Sequence, residues 1–417
     1  MRLIPIALAA ALLATAGHAQ TPPEPARWIA TWTYPPVSNV GPAVPPSPPN
    51  PNDVRGPLGP TTVANQTVSQ TTTISTAGDR IRIRVSNIYG AAPIRLGAVR
   101  ISIGDGAPVP VTFKGADGLT LPAGVPFLSD PIALPVRALD RVTLSIFYPD
   151  QTTLPNHRLR QVVRDGDATG QPLAPDAPRL RTGALATGIE VETTAPTRVI
   201  VAFGDSITEG TGSLPSGPGG WPERLAERMA GSQWAVVNAG VGGNRLLHQG
   251  SGPSGLERLD ADALAVPGAK CLILLEGIND IGRPARAEYA HETVTAQDII
   301  AGYRQIIARA HAVGLRVVIG TIPPFEGANY FSESGEAIRQ RVNLWIRTSR
   351  ELDARIDFDR VLRDEDGGRR LRREYQSGDW LHPSDAGYTA MARLIPEGVC
   401  EPNNGDPPGV GVPPFLD

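Results

Sequence analysis

The sequence predicts an α/β unit preceded by a β-rich unit, on three observations. From Arg198 onward, apolar strands alternate with segments of helical period. Between about Gln66 and Glu192 the texture is short runs of period two, separated by Gly- and Asp-containing turns. Strands in the second half are apolar on both sides, as parallel strands covered by helices must be, whereas those in the first half are apolar on one side only.

At 417 residues the chain is too long for one ordinary core and suits two units plus a leader. Hydrophobic residues make up 41% and charged residues 19%, the balance of a globular protein. A formal net charge of −3 gives no electrostatic reason to expect nucleic acid or an anionic membrane as a partner. With 45 Gly and 42 Pro, turns and loops should be plentiful.

The first residues read as a secretory signal, assigned to 1–19. Arg2 precedes an apolar run from Leu3 to Ala16, and the small residues Gly17 and Ala19 mark a cleavage site. That run is shorter than the roughly 20 residues a bilayer needs, so the expectation is export to the periplasm or beyond, without stable membrane insertion. The β unit is then assigned to 20–195, the α/β unit to 196–400 and a tail to 401–417. Within the β unit, residues 33–61 are proline-rich, and Pro lacks the donor that sheet and helix require, so they read as a long loop.

In the β unit, IRIRV (Ile81 to Val85), VRISI (Val99 to Ile103) and VTLSIF (Val142 to Phe147) alternate apolar and polar residues. The turns AGD, GDG and GADG separate such runs, which predicts a β-sandwich of jelly-roll type. The α/β unit opens with the strand RVIVAF (Arg198 to Phe203), followed by the helix PERLAERMA (Pro222 to Ala230) with Pro222 in its first turn. WAVVNAG and KCLILLEG are further strands, and AQDIIAGYRQIIARAHAVG is a helix with a Gly stop. LRVVIGTI, the helix from Gly335 to Leu352 and the short strand RIDFD complete the pattern.

Ligands of such a sheet bind beyond the carboxyl ends of its strands, and four segments fall there. FGDSITEG places Ser206 just after a strand. NAGVGGNR is a Gly-rich turn able to bring backbone N–H groups close to a ligand. GIND presents Asn279, and GDWLHPSDAGY carries Asp379 three residues before His382. Singly, each has an ordinary reading as cap, turn or surface residue; together they supply what ester hydrolysis by serine requires, namely a nucleophile, a base, a group to orient the base and oxyanion donors. Of the 6 histidines, His382 is the natural base, with His248 a second candidate beside the Gly-rich turn. Asp379 can hold the other ring nitrogen.

These four segments, in their order and spacing across roughly Val199 to Ile395, resemble the conserved blocks of the GDSL/SGNH hydrolases. LEGINDIGRP and the preceding RIRVSNIYG are similar to secreted bacterial members with an N-terminal β domain. The resemblance implies a three-layer αβα fold around a flavodoxin-like parallel sheet of about five strands. It also implies Ser206 as nucleophile, His382 as base with Asp379 as its partner, and an oxyanion hole from the N–H groups of Ser206 and Gly243 and the side chain of Asn279. In the second block Gly240 and Gly242 are alternatives to Gly243. No cofactor or metal is implied, and no His or Cys cluster has ligand spacing.

The remaining polar residues near these blocks have structural readings: hydrogen bonding for Asp205, local pairing for Arg245, and holding the loop for Glu276 and Asp280. Trp28, Trp32 and Tyr34 could offer a sugar-stacking surface or simply pack. Cys271 and Cys400 read either as a disulfide closing a long loop or, for Cys271, as a small hydrophobe in a buried strand. The expected function is a secreted serine esterase removing acetyl or short acyl groups, with an acylated polysaccharide or small ester as substrate. A broad lipase, arylesterase or thioesterase is the alternative within enzymes, and a carbohydrate-binding surface protein the alternative outside them. Oligomeric state has no signature in the sequence.

Overall fold

The computed structural model describes residues 25–38, 59, 61–155, 157–174, 176–214, 219–366 and 368–402. The expected signal at 1–19, most of the proline-rich loop and nearly all of the tail lie outside the described residues.

Five parallel strands form the sheet of the second half, in the order Trp234–Gly240, Arg198–Gly204, Ala269–Leu275, Arg316–Gly320, Ala354–Ile356. Val199 to Phe203 are fully buried, because helices cover both faces. Those helices include Trp221–Met229, Ala296–Ala312, Glu333–Thr348 and Asp385–Leu394. Their starts follow local chemistry. Thr295 caps the second, its hydroxyl accepting from the Asp298 N–H while the Asp298 carboxylate accepts from the Thr295 N–H. Ser332 and Ser384 cap the third and fourth. The chain's first strand of this sheet lies second in space, so the next two strands leave it on opposite sides. That creates a switch point between Arg198–Gly204 and Ala269–Leu275, where the loops diverge and leave a crevice.

The first half is antiparallel. A four-stranded sheet runs Arg27–Thr33, Ala186–Thr193, Arg80–Ser86, Pro126–Leu128. A six-stranded sheet runs Leu180–Gly183, Arg158–Asp165, Gln66–Thr73, Arg141–Tyr148, Val99–Ile103, Val109–Pro110. Ile81, Ile83 and Val85 from one sheet and Val142, Leu144 and Ile146 from the other share the core. The alternate residues Arg80, Arg82 and Arg84 instead pair with Glu192 and Glu190 on the neighbouring strand.

Two strands lie before Gln66, where the sequence reading assigned none: the two-residue Thr62–Val63 and the longer Arg27–Thr33. Arg27–Thr33 pairs with Ala186–Thr193 and reaches the parallel unit, with the Ala30 N–H donating to Pro267 O at 2.9 Å and Thr33 Oγ1 to Asn238 O at 2.7 Å. The three aromatic residues beside it are largely engaged. The Arg82 guanidinium covers Trp28 at 4.3 Å, and Tyr34 is buried and stacks on His157.

Cys271 and Cys400 are bonded, with Cα atoms 5.8 Å apart and a separation of 129 in sequence. The bond fastens the central parallel strand to the segment after the last helix. Replacing both cysteines by alanine is expected to cost about 2–5 kcal/mol, because a loop of that length gains much freedom when unfolded. Urea midpoints of the two proteins, compared without reductant, check this.

Candidate active site

Ser206 follows the Arg198–Gly204 strand at the switch point and opens a one-turn helix, Ser206–Glu209. Asp205 caps that turn by accepting from the Ile207 N–H at 2.9 Å. The preceding Gly204 cannot be replaced by a larger residue, since a Cβ there would lie 2.1 Å from Leu275 O. Backbone crowding therefore sets the sharp exit from strand to helix.

The Ser206 hydroxyl donates to His382 Nε2 at 2.8 Å, and His382 Nδ1–H donates to Asp379 Oδ2 at 2.6 Å. The second carboxylate oxygen, Oδ1, accepts from the backbone N–H groups of Leu381 and His382 at 3.0 and 2.9 Å. Asp379 therefore both folds its own turn and orients the ring. Trp380, inside that turn, has φ of +60°, a left-handed conformation costly for a bulky residue. Its ring packs over Gly327, where any Cβ would lie 2.8 Å away. Burial opposes ionisation of Asp379, but the hydrogen bond and charge of His382 and the two backbone donors outweigh it. They hold the carboxyl well below the usual range.

The other two segments meet this group at the carboxyl edge. The Val241 N–H donates to Gly204 O at 2.9 Å, tying the Gly-rich turn to the strand end before Ser206. Gly243 has φ of +74°, a conformation glycine adopts freely. Among the described residues, neither the Ser206 N–H nor the Gly243 N–H has a protein acceptor. Asn279 is buried, its Nδ2 donating one hydrogen to Asn244 O at 2.9 Å and its Oδ1 accepting from Tyr330 Oη at 3.2 Å. The amide orientation is thus fixed, with the second Nδ2 hydrogen still unspent.

The alternatives are placed elsewhere. His248 lies 3.6 Å from Asp280 Oδ1 rather than on Ser206. Asp280 accepts from the N–H groups of Leu246 and Leu247 at 2.6 and 2.9 Å, holding the loop. Arg245 is buried and pairs with Glu292 and Gln249 O.

Arg258 escaped the sequence reading. It is buried with its guanidinium over Phe203, and it donates to Gly204 O, Ala239 O and Asn244 Oδ1, each at 2.8 Å. One side chain thus ties the ends of two adjacent parallel strands to the Gly-rich turn. No motif marks it, because its partners converge only in the folded chain.

Two further carboxyls lie beneath the site. Burial pushes Asp205 up to about 7, with Asp280 adding to the effect and the Ile207 N–H, His382 and Arg258 opposing it. Glu276 is pushed up by burial and by Asp205, and neither of its oxygens has a hydrogen-bond partner. Between the ordinary aspartate value of 3.8 and about 7, the folded chain keeps a proton on Asp205 that the unfolded chain has released. The resulting stabilisation is present at low pH and lost as pH rises through about 7. Asp205→Asn can keep the cap without titrating. From pH 5 to pH 8 the parent should therefore lose more urea stability than this variant.

Residues 202–390, which contain all five of the singled-out side chains and turns, match the GDSL-like Lipase/Acylhydrolase family. The chain carries a GDSL-like acylhydrolase domain. The family so matched is one of lipases and acylhydrolases, which places that domain among the hydrolases. Solved structures similar to the GDSL-like domain include the M. smegmatis aryl esterase, at 18% identity over 47% of this chain and 95% of that one, with a TM-score of 0.38. An acetyl xylan esterase from Geobacillus stearothermophilus is 20% identical over 47% of this chain and 92% of its own, with a TM-score of 0.37. A GDSL-like lipase from Bacteroides thetaiotaomicron is 15% identical over 48% and 87%, with a TM-score of 0.36. No curated protein matches the chain. Among the described residues no helix is long and apolar enough to cross a membrane, and no cluster of three or more His, Cys, Asp or Glu could hold a metal ion.

Proposed function

We propose that the GDSL-like domain is a serine esterase that hydrolyses short acyl esters, acetyl above all, through an acyl-enzyme on Ser206. The observation that carries this reading is the continuous relay from the Ser206 hydroxyl through His382 to Asp379. With Nδ1–H held by Asp379, the Nε2 lone pair faces the serine proton. Ser206 Oγ adds to the ester carbonyl carbon while His382 takes that proton. The oxyanion is met by the N–H groups of Ser206 and Gly243 and the spare Nδ2 hydrogen of Asn279. His382 then passes its proton to the departing alcohol oxygen, and water repeats the cycle to free the acid. No cofactor enters this sequence.

A short acyl group suits the site because the residues that would surround its carbonyl are themselves buried, Ser206 being 7% exposed and Asn279 5%. An acylated polysaccharide outside the cell is the favoured alcohol component, supported by the signal-like residues 1–19 and by the β unit at 20–195 joined to the acylhydrolase unit at 196–400. A cleft of about 890 Å³ between the threonine-rich strand Gln66–Thr73 and the helix Trp221–Met229, reaching Glu209 to Thr211 but lined by none of Ser206, Gly243, Asn279, Asp379 and His382, offers hydroxyls and arginines to the remoter part of a sugar chain. A series of p-nitrophenyl esters of increasing chain length tests the reading. Rates should fall steeply beyond acetyl; rates rising toward long chains would replace it with a lipase.

A further inference from the structure

His157 belongs to the β-rich half, just before the strand Arg158–Asp165, yet its side chain is buried against the acylhydrolase domain. Its Nδ1 lies 2.8 Å from Pro35 O and its Nε2 2.7 Å from Glu209 Oε1. Both partners are acceptors, so both bonds form only when each ring nitrogen carries a hydrogen. Tyr34 stacks on the ring at 3.9 Å between centroids and 13° between planes. Two separate pieces of the β-rich half, Tyr34–Pro35 and His157, thus close on one carboxylate.

That carboxylate has a particular address. Glu209 ends the single helical turn that Ser206 begins, with its N–H bonded to Asp205 O at 2.9 Å and the Gly210 and Thr211 N–H groups bonded to Ser206 O at 3.0 and 2.9 Å. It also abuts the Gly-rich turn. A Cβ on Gly240 would lie 2.2 Å from Glu209 N, and one on Gly242 would lie 2.6 Å from Glu209 Oε2. Glu209 therefore sits between the nucleophile and the turn that offers the Gly243 N–H. The charged and titratable groups around the pair are Tyr34 and Tyr388, which feel Glu209, Arg181, which acts on Glu209, and Asp262, which feels His157. Burial disfavours the Glu209 charge, but the hydrogen bond and charge of His157, with Thr211, more than offset it.

We propose that His157 is a positioning residue for catalysis: clamped between Pro35 O and Glu209, it lets the β-rich half set the placement of Ser206 relative to the Gly242–Gly243 turn. This rests on Ser206 being the nucleophile. Misplacing a reacting group by an ångström can cost about 10²-fold in rate, and here the lever is a single helical turn with no slack. The β-rich half thereby becomes part of what makes the site competent.

The test measures kcat per active serine, titrated with a fluorophosphonate, in the full chain with p-nitrophenyl acetate. His157→Phe keeps the stacking on Tyr34 and removes both donors, whereas His157→Gln keeps one donor toward Glu209. His157→Phe should lower kcat per site by about 10²-fold with KM within about threefold of the parent, and His157→Gln should recover kcat to within about tenfold. A purely structural role would lower the titratable fraction or the melting temperature and leave kcat per site unchanged. That result overturns the proposal. Should His157→Phe fail to fold, Glu209→Gln decides, with a fall in kcat per site of about tenfold at constant KM expected and an unchanged kcat overturning it. Ser206→Ala in the same assay separates the two ideas. Turnover surviving in that variant sinks the serine reading itself, whereas a silent Ser206→Ala beside an unaffected His157→Phe sinks only the positioning role.

Discussion

Ser206→Ala should lower p-nitrophenyl acetate turnover by about 10⁴- to 10⁶-fold while leaving the fold intact. The expected size follows from what the hydroxyl does. Without it His382 has no proton to accept, and what remains is the help that the oxyanion donors and substrate binding give to attack by water. The fold should survive because, among the described residues, the Ser206 hydroxyl bonds only to His382, and the helical turn is capped by Asp205 rather than by Ser206. An unchanged melting temperature with lost turnover is the expected pair of readings, and turnover near the parent's would dismiss Ser206 as nucleophile.

Asp379→Asn should cost about 10⁴-fold in kcat with a folded chain. The geometry makes this variant informative because the amide cannot choose its orientation. Oδ1 accepts from the backbone N–H groups of Leu381 and His382, so the oxygen of asparagine must stay there. The NH₂ group is then forced toward His382 Nδ1, 2.6 Å away in the parent. Nδ1 must become an acceptor, the ring proton moves to Nε2, and Nε2 faces the serine as a donor instead of a base. Asp379→Ala removes the orienting group without imposing the wrong tautomer. It should also loosen the turn, whose Trp380 is held at positive φ, and so lose melting temperature as well as rate. A kcat for Asp379→Asn close to the parent's would mean that the ring is not oriented from this side.

Much of the parallel unit was legible because its strands are apolar on both faces, a pattern that RVIVAF and CLILL carry without help from tertiary context. The strand order was carried by no single segment, since it depends on which loop crosses over, and came only with the flavodoxin-like sheet that the family resemblance implied. At the site, Ser206 and Asn279 stood out because each sits in a short block just after a parallel strand. Asp379 and His382 stood out by their spacing, but they lie in the loop before the helix Asp385–Leu394 rather than at the strand end the sequence suggested. Gly243 was preferred to Gly240 and Gly242 only through the family resemblance. Arg258 did not, because it acts on carbonyls of residues 204 and 239 that come together only on folding. Tyr34 and His157 were hidden for a similar reason, their contact spanning more than a hundred residues. The cysteines stayed ambiguous in sequence because a bonded and a free cysteine are equally apolar in a buried strand. The strand Arg27–Thr33 was overlooked because it stands alone, its partner Ala186–Thr193 lying more than 150 residues away in sequence.

The Cys271–Cys400 bond has a consequence for how the molecule comes into being. Its first sulfur lies in the central strand of the parallel sheet and its second lies 129 residues later. During vectorial synthesis the earlier thiol must therefore wait, reduced and unpaired, while the rest of the sheet and the segment bearing Asp379 and His382 are made. The link can close only after the chain through Cys400 has been made, so it cannot constrain the five strands of the parallel sheet while they are being synthesised.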